Sequence, residues 1–171
     1  MKKILYFLYI LVVIVILIPK KELYYTAEAL LEKEEIYLSG ETLSGGWFGL
    51  DIDNVRILSG ISPLANVDHI QMTPWIVVND LSLYSIKASD GFTLFFPGEI
   101  EQARFRYALW NPFEISVTIR GDFGNADGKI DLQEGKIILY VNAVPQMKNY
   151  PLLVSKLRSE EGVLVYEHTF K

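Results

Sequence analysis

Phe113-Glu114-Ile115-Ser116-Val117-Thr118-Ile119-Arg120 alternates apolar and polar side chains without a break. Successive side chains of an extended chain point to opposite faces, so this stretch is a strand with one apolar and one wet side. Just upstream, Phe105, Tyr107 and Leu109 alternate with Arg104 and Arg106 in the same way. From Ile36 onward Gly, Asn, Asp and Pro punctuate the chain at short intervals, which marks a meandering antiparallel sheet. The pattern predicts strands at 35–38, 48–58, 66–72, 75–84, 91–96, 100–110, 114–121, 129–132, 136–142 and 163–170.

Two segments depart from alternation. Residues 22–35 read as a short helix, with Leu23, Ala27, Leu30 and Leu31 on one face and a charged end at Glu32-Lys33-Glu34-Glu35, a plausible stalk. Tyr150-Pro151 opens a second helix through about Arg158, with Leu152, Leu153 and Leu157 on one side. Pro151 suits a first helical turn, where no amide hydrogen is needed. The expected fold class is mainly β: an N-terminal membrane helix, then a curled antiparallel β-meander with one or two short helices.

The chain starts with an unbroken apolar run, residues 4–18, fenced by Lys2/Lys3 and Lys20/Lys21. At ~1.5 Å per residue it is about 22 Å long as a helix, short for a bilayer core of about 30 Å. Flanking lysines and Tyr24/Tyr25 at the interface can accommodate the shortfall. The expectation is an uncleaved signal anchor over 1–21, with Ile4, Leu11 and Ile18 in the membrane, and a β-rich domain over 22–171. A cleaved secretory signal is the alternative, with Ala27-Glu28-Ala29 as a small-x-small site. Two lysines and the terminal amine precede the run and two lysines follow it. That margin places the N-terminus in the cytoplasm and the domain in the periplasm, on a single-pass inner-membrane protein.

Charge narrows the partners. Four of the 16 basic residues lie at or before Lys21 and all 21 acidic residues lie after it, leaving a net charge of −9 from Glu22 onward. Phosphate binding needs clustered Lys and Arg, so nucleic acid is not an expected partner. The local basic group, Arg104, Arg106 and Arg120, is spread over two strands. With no cysteine there are no disulfides, thiolate metal sites or thiol nucleophiles.

The motifs that resemble chemistry have plainer readings. With Gly128 at the sixth position of a calcium loop, Asn125, Asp127, Asp131 and Glu134 fall on ligand positions. Phe123 then stands where a carboxylate is needed, and both flanks alternate as strands. Asp127-Gly128 is better read as a hairpin turn. His69 and His168 lack metal-ligand spacing. The glycines at 45, 46 and 49 precede a strand, not the helix a phosphate loop requires. Asp51/Asp53 and Glu99/Glu101 are i, i+2 pairs, as on any solvent face. A hydrolase pairing Glu99 or Glu101 with Asp90 or Glu114 would need those carboxyls facing across a cleft. No catalytic residue, metal ligand or cofactor is expected, and the chain does not read as an enzyme. Phe92, Phe95, Phe96, Phe105, Tyr107, Trp110 and Phe113 concentrate aromatics in adjacent strands. They are either a sheet core or an apolar face that receives acyl chains or an amphipathic partner.

A short basic anchor, the block GETLSGGWFGL at 40–50, the strand DIDNVRIL at 51–58 and NDLSLYSIKA at 79–88 together resemble the type II secretion system protein N family. More loosely they resemble the AsmA-like periplasmic β-sheet proteins. The resemblance implies a non-enzymatic envelope protein with a lengthwise-curled sheet. It would assist a secretion or envelope-assembly complex through contacts with partner proteins at the inner membrane. Alternatively it would bind or transfer lipid, with phospholipid as ligand, along an apolar β groove.

Overall fold

The computed structural model describes residues 13, 17–91, 99–160 and 163–170, with Glu160 described for its backbone alone. After helix α1 (Lys20–Lys33) come strands β1 (Ile36–Ser39), β2 (Thr42–Gly45), β3 (Leu50–Ser59), β4 (Ser62–Pro74) and β5 (Val78–Ala88). Strands β6 (Glu99–Ala108), β7 (Asn111–Gly121), β8 (Gly124–Asp131) and β9 (Lys136–Ala143) follow. A 3-10 turn (Pro145–Asn149) and a one-turn helix α2 (Pro151–Val154) lead into β10 (Leu157–Glu160) and β11 (Val163–Thr169). The 11 described strands make one antiparallel sheet, β1-β3-β4-β5-β6-β7-β8-β9-β11-β10, with β2 paired to β3 off that path. The mainly β antiparallel meander expected from alternation is therefore present. The curl expected with it is not: the sheet is uncurled, and its hydrogen-bond path runs linearly between two open edges.

Register explains the two faces. Leu50, Met72, Leu81, Phe105, Val117, Gly128, Leu139, Tyr166 and Leu157 pair in one continuous row. A second row runs Leu43, Ile52, Ile70, Leu83, Ala103, Ile119, Ala126, Val141, Leu164. Both lie on one side, which is apolar across the sheet. The opposite side carries Asp51, Gln71, Ser82, Arg104, Thr118, Asp127. There Asp80 accepts hydrogen bonds from Arg104 Nε and Nη2 at 2.6 Å each and from Arg106 Nε at 3.0 Å. Two of the three arginines of the local basic group are thereby held by one carboxylate.

Strict alternation fails along one line across the sheet. Ile52 and Val55, Val67 and Ile70, and Leu83 and Ile86 are three residues apart, yet all join the same apolar cluster. Asn54 (φ 61) and Ser85 (φ 51) adopt the left-handed conformation there, which reverses the side-chain phase. Because neighbouring strands slip together, pairing continues through the line. It ends in a register shift between Ile100 and Gln102 against β7.

Each end of the apolar side has its own cover. α1 lies over β1–β5, with Tyr24 buried against Leu50, Ile52, Val55 and Val67. Full burial of each such aliphatic side chain is worth about 1.5–3 kcal/mol. Burial, followed by the nearby Glu41 and Glu28 charges, pushes the Tyr24 phenol well above its ordinary range, so it stays neutral. The helix expected over 22–35 thus exists, two residues earlier, but is packed on the sheet and is not a stalk. At the other end Met147 is buried against Phe123, Ala126 and Val141.

Three expectations are corrected. Among the described residues no helix is long and apolar enough to cross a membrane. The transmembrane anchor and the single-pass inner-membrane, periplasmic placement built on it are overturned on that finding. Ile4 and Leu11 lie outside the described residues. Ile18 is a half-buried bend residue beside Pro19, after which the chain restarts as the charged, sheet-packed α1. Second, Asp127-Gly128 lies inside β8, and the turn is Asp122-Phe123 between Gly121 and Gly124. Gly124 takes φ +118, which favours glycine. Third, the second helix stops at Val154, and Leu157 pairs with Tyr166 as an edge strand. The strand expected at 91–96 falls on residues 92–98, outside the described set.

Candidate functional site

The apolar side is not closed by its second cover. Between β6–β11 and the 145–157 segment lies a groove of ≈ 770 Å³, whereas the opposite, polar face carries only a small hollow of ≈ 280 Å³. The groove's floor is Ile100, Ile119, Ala126, Leu139 and Val141, all on the paired apolar rows or beside them. Phe123 also lines it, Met147, Leu152 and Leu153 form the lid, and Leu157 of edge strand β10 borders it.

Local sequence dictates that lid. Pro145 and Pro151 each begin a short helical piece without needing an amide partner. Backbone bonds from Met147 N–H to the Val144 carbonyl (3.0 Å) and Tyr150 N–H to the Met147 carbonyl (3.0 Å) tighten the first piece. The Tyr150 hydroxyl donates to Asp122 Oδ2, tying the lid to the turn that carries Phe123. Ser155 Oγ donates to the Leu152 carbonyl at 2.8 Å and terminates α2.

Polar groups gather at the groove's margin. Ser155, Lys156, Glu167 and His168 line it beside the leucines. Glu167 accepts from Lys136 Nζ at 2.9 Å, and that ammonium holds its carboxyl below the usual range. The arrangement is an apolar cleft with a charged lip. Among the described residues no group of three or more His, Cys, Asp or Glu is placed to hold a metal ion.

The aromatic residues singled out from sequence are distributed differently. Phe105 and Tyr107 lie half-buried on the apolar side in the middle of the sheet. Trp110 and Phe113 are exposed at one end of the strands. Phe92, Phe95 and Phe96 lie outside the described residues. None of the described four lines the groove. The groove residues Phe123, Ala126, Val141 and Met147 were not singled out. The signal that points to them is the Leu152/Leu153/Leu157 stripe, since an apolar stripe on a short helix needs an apolar surface opposite.

Other candidates resolve into pairs. His69 Nδ1 sits 2.7 Å from Asp53 Oδ1 and its Nε2 3.5 Å from Asp51 Oδ1, on directly paired strands of the polar side. Glu99 lies 3.9 Å from Lys87, and Glu114 2.9 Å from Lys129. Asp131 Oδ1 accepts the Gln133 and Glu134 amides at 2.9 and 2.8 Å, so this carboxylate of the calcium-like stretch caps its own turn. No protein family, curated protein or solved structure matches the chain.

Proposed function

We propose that the chain is a non-enzymatic binding module for an acyl-chain ligand, a fatty acid or a phospholipid tail, held in the groove between the sheet and the 145–157 lid. The groove of ≈ 770 Å³ carries this reading. Ligand pockets span ~300–1,000 Å³ and are mostly apolar with a few placed polar groups. The lip of Lys156 and Ser155 suits a carboxylate or phosphate head, and the apolar floor suits the tail. The resemblance to AsmA-like proteins suggests the same ligand class. Assistance to a secretion or envelope-assembly complex would use a protein-binding edge. At one edge β1 and β2, 4 residues each, lie end to end along β3 with a break at Gly40-Glu41, and at the other β10 has 4 residues; such short, interrupted edges offer little continuous backbone for strand addition, which favours the ligand reading.

Titration of the full chain with cis-parinaric acid tests it. Saturable binding of one probe per chain is expected. Leu153→Lys puts a charge into the lid's apolar side and should weaken binding by at least about tenfold, roughly 1.4 kcal/mol. Absence of saturable binding, or equal binding by the folded variant, contradicts the proposal.

A further inference from the structure

All 3 tryptophans of the chain lie at one end of the sheet. Trp47 sits in the loop between β2 and β3, Trp75 in the β4–β5 turn and Trp110 in the β6–β7 turn, at 72%, 40% and 74% exposure. These turns are neighbours because antiparallel pairing alternates the ends. The loops Gly46–Gly49, 75–77 and 109–110 contain no charged residue. They are also tied to one another. The Phe48 and Trp75 rings stack at 5.9 Å and 20°, and the Leu109 N–H donates to the Val77 carbonyl at 2.9 Å. The described loops at the opposite end carry Gly60, an exposed Ile61, Asp90 and Asp122; at the tryptophan end the next turn along, β8–β9 at 132–135, adds Leu132 and one charge, Glu134.

We infer that this tryptophan end seats on a lipid surface, as a peripheral contact made by loop tips. Tryptophan pairs an apolar body with a polar N–H and concentrates at the lipid–water boundary. A core or a small-ligand site would bury these rings, whereas three neighbouring exposed loop tips without charge match an apolar phase with water at its edge. The chain's path agrees. The N-terminus of α1 reaches the same end, since Lys21 Cε lies 3.8 Å from the position a Gly45 side chain would take. The chain therefore enters α1 at the tryptophan end, and Lys21 stands beside it as an exposed cation for anionic headgroups. This inference stands apart from the groove reading, because it concerns different residues.

The 3 tryptophans are themselves the reporters. The full chain is mixed with phosphatidylcholine/phosphatidylglycerol vesicles whose acyl chains are brominated, against matched unbrominated vesicles. A blue shift and loss of about half the tryptophan emission to bromine are expected for rings at the interface. Trp47→Ser with Trp110→Ser, both at exposed positions, leaves Trp75 as reporter and should abolish its shift while the far-ultraviolet circular dichroism is unchanged. Unquenched emission overturns the inference, whether the chain sediments with the vesicles through residues 4–18 or stays in solution. So does an undiminished Trp75 shift in the double variant. Neither outcome alters binding of cis-parinaric acid in the groove.

Discussion

At Gly128 a methyl group in place of hydrogen would sit 2.0 Å from the Ile138 carbonyl oxygen and 2.8 Å from Leu139 Cα. Those are backbone atoms of the neighbouring strand, which cannot rotate away. Gly128→Ala should therefore cost about 1–3 kcal/mol, read as a lower urea midpoint. Gly91→Ala, where no heavy atom of the described residues lies within 4 Å, should leave the midpoint nearly unchanged. Asp80 makes the second prediction at this scale. The hydrogen bond from Arg104, opposed by burial and helped by Arg106, lowers its pKa. A depressed carboxylate contributes stability above its unfolded value of about 3.9 and loses it as pH falls through the folded value. Its arginine partners are half-exposed, which limits the contribution to about 1 kcal/mol. Asp80→Asn should reduce stability at pH 7, and the gap from the parent should close as pH falls below 4. A gap that persists at low pH contradicts this assignment.

Among the elements, strands were legible wherever side-chain phase holds, as in β7, and blurred wherever it slips. Asn54 and Ser85 turn the phase in β3 and β5, so apolar residues recur at a spacing of three there and the two-residue period is broken mid-strand. Asp127-Gly128 looked like a turn because the dipeptide usually is one. The glycine is instead required by the close backbone of β9, a contact between residues distant in sequence. β2 and β10, 4 residues each, are too short to display a period. The lid was half legible: its leucine stripe was readable, whereas its early stop at Val154 depends on β10 pairing with β11. Met147 anchors that lid at 3% exposure. Met147→Ala should destabilise the chain by about 2–5 kcal/mol, measured by urea denaturation. A loss under ~0.5 kcal/mol would mean the lid is not packed as described.

For the whole molecule, the single sheet with one continuous apolar side frames the functional account. Such a side must be covered or used, because apolar surface of this extent left in water is unfavourable. α1 covers the β1–β5 region around Leu50 and Val55, and the 145–157 segment covers the far end incompletely, leaving the groove. Alternation revealed the apolar side from sequence. Its division between a helix and a gapped lid depends on tertiary packing, which periodicity does not encode. The apolar run at 4–18 read as a span because its composition suits a bilayer. Among the described residues, however, no helix is long and apolar enough to cross one.

The most direct measurement of the central claim is site mapping with a photoreactive fatty acid on the full chain. A diazirine palmitate is irradiated with the purified protein, and the labelled peptides are identified by mass spectrometry. The account predicts saturable labelling of the floor and lid, in peptides carrying Ile119–Ala126, Leu139–Val141 and Met147–Leu157, competed by unlabelled palmitate. Labelling confined to the tryptophan loops or to residues 4–18, or none that competitor removes, would contradict it.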